Sequence, residues 1–345
     1  MAQVPERFYL AALTHSLGRN AAAAELAQAG SAYAAFARVS EPRADPALLQ
    51  RHCARFGIDL VTRFDEAYPA LLRDITDAPP VLYARGSPGA LLRPTVAIVG
   101  ARRCTRSGVE VAASLAANLA RRGICVVSGL ARGIDTAAHR AAVKEGISVA
   151  VIGSGLASPY PGANRKLAEA IVAGGGLLLS EYPPWHGARR HHFPERNRMI
   201  SGVALGVVVV EAGEHSGSLI TARMAAEQGR EVCAVPGPVT SPVSRGCHRL
   251  IKQGAALVES ADDVLEALGL PAAPTGGSQP GGDRRPEDEI LAGVLAAVTG
   301  TVTTLDEIVA TTGMAGTAAS AALVELELSG FVRQVPGGYI RRPLL

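Results

Sequence analysis

Arginines and aromatic rings are interleaved between Trp185 and Arg198, and they carry the clearest chemistry of the chain. The stretch holds four arginines and three histidines beside one acidic residue, Glu195, and its rings include Phe193. Such interleaving is typical of grooves that hold a nucleic-acid backbone while unpaired bases stack. We interpret the stretch as a basic loop that binds an anion. The alternative is a structural role, in which Trp185 and Phe193 pack in the core and Arg196 or Arg198 pairs with a carboxylate.

A second basic loop, Gly100 to Gly108, follows an apolar run and precedes a segment with helical spacing. Glycines let a backbone approach a phosphate, a helix N-terminus offers free N–H donors, and arginines such as Arg102 add bidentate charge. This loop therefore predicts a phosphate site at the start of a helix. A solvated arginine-rich loop is the alternative.

Two further loops place Gly and Ser residues before predicted helices. In the first, which runs from Ser128 to Asp135, we predict that Asp135 caps the helix and that Asp135 and His139 are structural. In the second, from Glu211 to Ala222, Ser216 offers a hydroxyl donor to phosphate or to the helix start. A serine nucleophile is disfavoured because the GxSxG elbow is missing.

The loop from Gly153 to Ser158 partly matches a dinucleotide fingerprint, but it follows the third predicted strand and ends in Ser158 instead of Gly or Ala. With no residue assignable to hydride transfer, a dehydrogenase is disfavoured. His191 and His192 lack further ligands at metal-binding spacing, and neither a Walker A sequence nor paired carboxylates occur. We therefore predict binding without catalytic, metal or cofactor sites.

Six continuously apolar runs alternate with helix-like segments before these loops. Such runs are typical of parallel strands buried on both faces, and the alternation predicts βαβ units, hence an α/β fold. Ligands of such sheets bind outside the carboxyl ends of the strands, where the loops lie. The predicted strands are Val96–Val99, Cys125–Val127, Val149–Ile152, Leu177–Leu179, Val207–Val210 and Val232–Val235.

The 345 residues exceed what one core usually supports, so we expect several domains. The net charge of +3 is small, so affinity for an anion must come from local clusters of arginine. Five cysteines without CxxC spacing fit a reducing, cytoplasmic compartment. We expect a soluble protein because no leader pattern is present and the apolar runs are too short to cross a bilayer.

Composition divides the chain into four parts. Short Ala-rich helical patterns fill residues 1–75 and predict a helical domain, and residues 76–270 carry the sheet. Residues 271–286 are rich in Pro and Gly and predict a flexible linker. Residues 287–345 predict a winged-helix module, with helices Glu287–Val298, Leu305–Thr312 and Thr317–Ser329 and a hairpin turned at Pro336-Gly337.

Motifs along nearly the whole chain resemble the DprA (Smf) family of DNA-processing proteins of natural transformation. The residues that carry the resemblance include Asp65, Tyr68-Pro69, Val99-Gly100-Ala101-Arg102, Ser128-Gly129, Ala131-Arg132-Gly133-Ile134-Asp135, Tyr160-Pro161, Asn164, Ser180-Glu181-Tyr182-Pro183, Phe193-Pro194, Arg196-Asn197-Arg198, Ser216-Gly217-Ser218-Leu219-Ile220-Thr221-Ala222 and Pro236-Gly237. Two positions depart from the family pattern: Ala101 stands where Ser is frequent, and Cys247-His248 replaces a small residue and Asn.

The resemblance implies an extended Rossmann-like core, an N-terminal SAM-like module and a C-terminal winged helix. It implies a homodimer that binds single-stranded DNA and loads RecA onto it while single-strand-binding protein is displaced, without catalysis or membrane insertion. Arg102, Arg190 and Phe193 match residues that hold the strand. From motif and loop geometry we add Gly100, Ser128, Gly129, Arg132, Asn197, Arg198 and Ser216.

Two rival functions remain. Nucleoside-monophosphate phosphoribohydrolases share a Rossmann-like fold and a PGGxGTxxE pattern, but the segment from Glu211 to Ser218 lacks its first two glycines. A duplex-specific transcription factor would use the winged helix. Its recognition helix, however, contains Glu325 and Glu327 and no Lys or Arg, so we predict protein contact or dimer support for that module.

Overall fold

The computed structural model describes residues 4–271, 289–299, 302–328, 331–335 and 337–341. The chain divides into two compact units, Met1–Ala272 and Ala273–Leu345. The predicted linker, 271–286, lies outside the described residues except for Pro271. Among the described residues no single helix is long and apolar enough to cross a membrane, although the pair Leu305–Thr312 and Gly316–Glu327, bent by 110°, meets the length and composition test.

The first unit begins with four helices: α1 (Glu6–Leu17), α2 (Arg19–Ala29), α3 (Ala32–Phe36) and α4 (Pro46–Phe56). Local sequence explains the limits of α4. The Asp45 carboxylate accepts a hydrogen bond from Ala47 N, Pro46 occupies the first helical position, and Gly57 ends the helix with a φ of 60°.

A nine-stranded sheet forms the centre of this unit, in the order β1-β2-β6-β5-β4-β3-β7-β8-β9. Strands β3 to β9 are parallel, whereas β1 and β2 are antiparallel to their neighbours. The strands are β1 (Asp59–Thr62), β2 (Val81–Gly86), β3 (Thr95–Val99), β4 (Cys125–Ser128), β5 (Ser148–Val151), β6 (Leu177–Ser180), β7 (Gly206–Val209), β8 (Glu231–Ala234) and β9 (Ala256–Leu257).

Helices cover both faces of the sheet, and alternate side chains of one strand reach opposite cores. In β3, Ala97 and Val99 pack into one cluster of buried residues and Val96 and Ile98 into another. The helices between and after the strands are α5 (Ala70–Arg73), α6 (Arg106–Arg121), α7 (Ile134–Glu145), α8 (Arg165–Ala173), α9 (His192–Gly202), α10 (Ser218–Glu227), α11 (Arg245–Lys252) and α12 (Ala261–Ala267).

The second unit contains α13 (Glu289–Ala297), α14 (Leu305–Thr312), α15 (Gly316–Leu328) and the hairpin β10 (Val332–Val335) and β11 (Gly338–Arg341). Buried residues of all three helices and of β10 form its core, among them Val294, Ile308, Leu323 and Val332. Three helices and a hairpin are the elements predicted for the winged-helix module.

The α/β fold class and all six predicted strands are confirmed within a residue or two. Three strands were not predicted: β1, β2 and β9. The predicted domain limit at residue 75 lies within the first compact unit, where β1 is hydrogen-bonded into the sheet and α1 and α4 share a buried cluster with β5 and β6. The basic stretch up to Arg198 is also not all loop, since α9 begins at His192.

Candidate nucleic-acid interface

An open pocket of about 900 Å³ lies at the carboxyl ends of β3 and β7. These strands are neighbours in the sheet, but the chain between them runs out through β4, β5 and β6 before it returns. This is the topological switch point, where open α/β sheets bind their ligands. Six predicted site residues line the pocket: Gly100, Arg102, Arg190, Phe193, Asn197 and Ser216.

Two aromatic rings and an arginine form one wall of the pocket. The guanidinium carbon of Arg102 lies 5.2 Å from the ring centroid of Phe193, and the ring of Tyr160 lies 5.6 Å from that of Phe193 at an angle of 50°. Arg102 is exposed, Phe193 is half-buried, and Tyr160 is 52% exposed. The wall therefore offers a ring face for stacking beside a cation for phosphate.

Helix α9 orients Phe193 and Asn197 toward this pocket, one helical turn apart. Its first residue, His192, is buried, and its ring stacks on Tyr182 at 4.1 Å. Burial lowers the pKa of His192, and the neighbouring His186 and His191 act in the same direction. A neutral, packed His192 thus holds the end of α9 that carries Phe193.

The first turn of α10 forms the opposite wall. Ser216 Oγ lies 2.8 Å from Ser218 Oγ, and both residues line the pocket with the N-terminus of the helix behind them. Asn197 Nδ2 donates to Gly217 O at 3.3 Å, which ties the two walls together. Hydroxyl and backbone donors at a helix N-terminus suit a phosphate oxygen.

The N-terminus of α6 does not provide the phosphate site that the sequence predicted. Thr105 N donates to Glu211 Oε2 at 2.8 Å, and Thr105 Oγ1 donates to Glu211 Oε1 at 2.5 Å. A Cβ atom on Gly108 would lie 2.4 Å from the Glu211 carboxyl carbon. The carboxylate therefore already occupies the position at which the helix would hold an anion.

Arg196 and Asp135 line the floor of the pocket and are buried. Arg196 Nη1 donates to Gly129 O at 2.8 Å and to Val151 O. Burial lowers the pKa of Arg196 to about 10, although the carboxylate of Asp135 opposes the shift, so the guanidinium stays charged at neutral pH. Because the carboxylate of Asp135 lies in the same floor, the excess positive charge of the pocket comes from its exposed arginines.

Asp135 is structural but is not the N-cap that the sequence predicted. Gly133 occupies the N-cap position of α7, and the Asp135 carboxylate accepts hydrogen bonds from Gly129 N at 3.0 Å and Ala131 N at 3.3 Å. Burial raises its pKa, while Arg196 and these two amides oppose the rise. Asp135 thus fixes the loop that follows β4.

Four predicted site residues lie outside the pocket lining. Ser128 is buried and donates to Ile98 O at 2.6 Å, and Gly129 packs against Arg196, whose guanidinium would lie 2.7 Å from an added Cβ. Arg198 is buried in an ion pair with Glu181, and its Nε lies 3.1 Å from Asp77 Oδ2. These three positions favour structural roles, which corrects the DNA contacts predicted for them. Arg132 is exposed beside the pocket.

The lining residues that were not among the predicted site residues include Tyr160, Arg103 and Arg245. Tyr160 follows the loop after β5, so an aromatic residue behind a strand end was the available signal. Arg245 lies in sequence 29 positions after Ser216 and approaches the pocket only through the turn into α11; it lies 3.6 Å from Glu214. No sequence pattern places it there.

The acidic residues near the pocket are engaged by other groups. Glu211 binds Thr105, Glu214 pairs with Arg245, and Asp135 is held by backbone amides. Within the described ranges no cluster of three His, Cys, Asp or Glu side chains could hold a metal ion. The geometry therefore offers cations, hydroxyls and rings for binding, with no free carboxylate aimed into the pocket from these positions.

Comparison with known proteins adds independent evidence. A family model described as DNA recombination-mediator protein A matches residues 59–269, and a model of the DprA winged helix domain matches residues 278–338. Protein Smf of Escherichia coli is 42% identical over 292 residues, which cover 82% of this chain and 77% of that protein. DNA processing protein DprA of Streptococcus pneumoniae is 46% identical over 202 residues, covering 58% and 71% of the two chains.

Solved structures agree in fold. The X-ray structure of DprA from Streptococcus pneumoniae superposes with a TM-score of 0.61 at 41% identity, covering 68% of this chain and 80% of that one. A structure of DNA processing protein A from Helicobacter pylori, described as revealing its single-stranded DNA binding mode, gives a TM-score of 0.56 at 28% identity over 62% and 97% of the two chains. The sheet and the C-terminal winged-helix module are therefore those of a known family.

Proposed function

Because this chain belongs to the DNA recombination-mediator protein A (DprA/Smf) family, we propose that its switch-point pocket binds single-stranded DNA as the first step of that mediator function. The bound strand then receives the recombinase RecA while single-strand-binding protein is displaced. The active species is a homodimer in the cytoplasm, and it acts by binding without catalytic turnover. RecA, single-strand-binding protein and the dimer are proposals that rest on family membership.

The observation that carries the proposal is the wall formed by Arg102, Phe193 and Tyr160. Its ring face and adjacent guanidinium are the two elements that hold single strands without reading their sequence. In a duplex the base faces are stacked on each other, so this wall favours unpaired strands.

Charge supports the same conclusion. Four exposed arginines line the pocket, namely Arg102, Arg103, Arg190 and Arg245, against one exposed acidic residue, Glu214. The whole chain has a net charge of only +3, so the attraction for phosphate is local. Binding must then weaken as salt rises, since each neutralised phosphate releases counterions.

The phosphoribohydrolase alternative is not favoured. Its catalysis needs a carboxylate aimed at the substrate, whereas Glu211 is bound to Thr105 and Glu214 pairs with Arg245. A purified sample that released free base from a nucleoside monophosphate would restore that alternative.

The first prediction concerns Arg102→Ala combined with Arg190→Ala. Fluorescence anisotropy with labelled oligo-dT and its duplex counterpart, at low and moderate salt, measures the affinities. We expect the wild type to prefer the single strand and the double variant to bind it at least about tenfold more weakly, with a salt slope smaller by about 1.4 because two phosphate contacts are lost.

The matched control is Arg38→Ala combined with Arg51→Ala, which removes two exposed cations, one from the turn after α3 and one from α4. It should bind as the wild type does. Equal single-strand binding by the Arg102/Arg190 variant would contradict the assignment of the pocket.

A further inference from the structure

Four exposed cations lie around the start of α8, outside the pocket: Arg132, Arg140, Arg165 and Lys166. In the described part of the chain none of them forms an ion pair. The exposed acidic residues of α7 and α8 are directed elsewhere, since Glu145 lies 3.6 Å from Arg121 and Glu169 lies 2.7 Å from Arg85. The four positive charges are therefore not neutralised by their own helices.

A buried amide brings these cations to one corner of the molecule. Asn164 is 4% exposed, and its Nδ2 donates to Leu130 O and to Thr136 Oγ1, both at 2.8 Å. Arg132 follows Leu130 by two residues, and Arg165 follows Asn164 directly. Arg140 lies one turn beyond Thr136 on the same face of α7.

The same corner adjoins the pocket. Ala131, which precedes Arg132, lines the pocket, and so does Tyr160, which begins the turn leading to α8. Asn164 Nδ2 lies 3.4 Å from Ala131 O, so the start of α8 is fixed directly against the pocket rim. A single strand that continued from the ring of Tyr160 toward the start of α8 would contact Arg132 and Arg165 first.

The positive charges at the start of α8 destabilise the helix. Cations are unfavourable at a helix N-terminus, yet Arg165 and Lys166 occupy the first two positions, and the first turn holds no acidic residue. Asn164, the N-cap, makes no capping bond because its side chain turns inward. Two exposed cations therefore lie at the positive end of the α8 dipole, and a bound phosphate would relieve this repulsion.

We propose that Arg132, Arg140, Arg165 and Lys166 form a second contact surface for the phosphate backbone, along which the single strand continues after it leaves the pocket past Tyr160. The proposal rests on single-strand binding in the pocket and extends it. Short strands are held by the pocket alone, whereas longer ones also contact the surface on α7 and α8.

The test compares two strand lengths with the variant Arg140→Ala/Arg165→Ala/Lys166→Ala, which leaves Arg132 in place because that residue adjoins the pocket. Labelled oligo-dT of about five and about twenty nucleotides is titrated at several salt concentrations. We expect the variant to bind the long strand at least about tenfold more weakly, with a salt slope smaller by about 2, since about 0.7 is lost per phosphate contact. Short-strand affinity should be unchanged.

The control variant, Arg38→Ala/Arg43→Ala/Arg51→Ala, removes three exposed cations from α4 and the segment that precedes it. Unchanged long-strand affinity and slope in the α7–α8 variant would overturn the proposal, as would an equal loss in the control, which would indicate a general field effect. A wild type that bound neither strand would overturn the pocket assignment as well. If the triple variant unfolds at a lower temperature, Arg165→Gln/Lys166→Gln supplies the same comparison with a slope change of about 1.4.

Discussion

Arg190, Arg196 and Arg198 belong to one basic stretch, yet they have three different surroundings. Arg190 is exposed at the pocket, Arg196 donates to backbone carbonyls beneath it, and Arg198 pairs with carboxylates away from it. Sequence spacing could establish that the stretch is basic. It could not separate these roles without the start of α9, because the helix turns Phe193 and Asn197 toward the pocket and Arg198 away from it.

Arg198 provides a test of this division. Replacing it with Met keeps part of its apolar volume but leaves Glu181, whose side chain is 11% exposed, without its closest cation. Breaking a buried ion pair from one side costs about 3 kcal/mol or more. We expect Arg198→Met to lower the free energy of unfolding by that amount in urea titrations, with little change in the single-strand affinity of the folded protein.

The double variant Arg198→Met/Glu181→Gln is the control, since it also removes the stranded carboxylate and should recover part of the lost stability. Lost DNA affinity at unchanged stability would instead restore Arg198 to the binding surface.

At the scale of elements, five of the six strands that the sequence identified are buried along their whole length, and the sixth, β8, is buried only in its second half. Strand β3 is fully buried, and its continuously apolar run, Val96–Val99, is distinctive. Among the missed strands, β1 begins with the exposed Asp59 and β9 has only two residues, so both lack that signal. Strand β2 has a buried apolar run, Val81 to Ala84, but Pro79-Pro80 and Ser87-Pro88-Gly89 on either side are typical of a connection. Their pairing depends on tertiary contacts that no local pattern encodes.

Helix α7 holds a buried histidine whose protonation state is set by its neighbours. His139 is fully buried, and its Nε2 accepts a hydrogen bond from Leu130 N at 3.3 Å. The proton therefore sits on Nδ1, which faces Ser148 Oγ at 2.8 Å. Burial lowers the pKa of His139 to about 3, and the positive charge of Arg196 acts in the same direction.

A pH dependence of stability follows from this shift. Below about pH 6.5 the unfolded chain protonates His139 while the folded chain does not, so stability falls as the pH falls. Between pH 7 and pH 5 this residue should cost about 2 kcal/mol of unfolding free energy. His139→Gln keeps polar groups without titrating there, so its stability should fall by about 2 kcal/mol less than that of the wild type over this interval. Urea titrations at both pH values measure the difference, and identical pH profiles would contradict the prediction.

At the scale of the whole molecule, the two ends of the chain differ in which residues their buried side chains pack against. The N-terminal helices have only a small buried cluster of their own, Leu13, Ala22 and Ala35, whereas Leu10 and Leu49 belong to a larger cluster that they share with Tyr83 and Ile152. The second unit, in contrast, has a buried cluster of its own. Composition suggested a helical domain at each end because Ala-rich helices and linkers can be recognised from local sequence. A core that two segments share leaves no such local pattern.

Two deletions test this difference. Removing residues 1–57 would expose the apolar face that Tyr83, Ile152 and Leu178 present to α1 and α4, so we expect aggregation or loss of a cooperative unfolding transition. Removing residues 287–345 leaves that face covered, and it removes a helix, α15, whose charged side chains are Glu325 and Glu327. This second deletion should keep cooperative unfolding and single-strand affinity, measured by calorimetry and by anisotropy with oligo-dT. Loss of single-strand binding after this second deletion would contradict the pocket as the principal DNA site. The acidic helix α15 would then have to support the DNA complex through a contact with another protein surface.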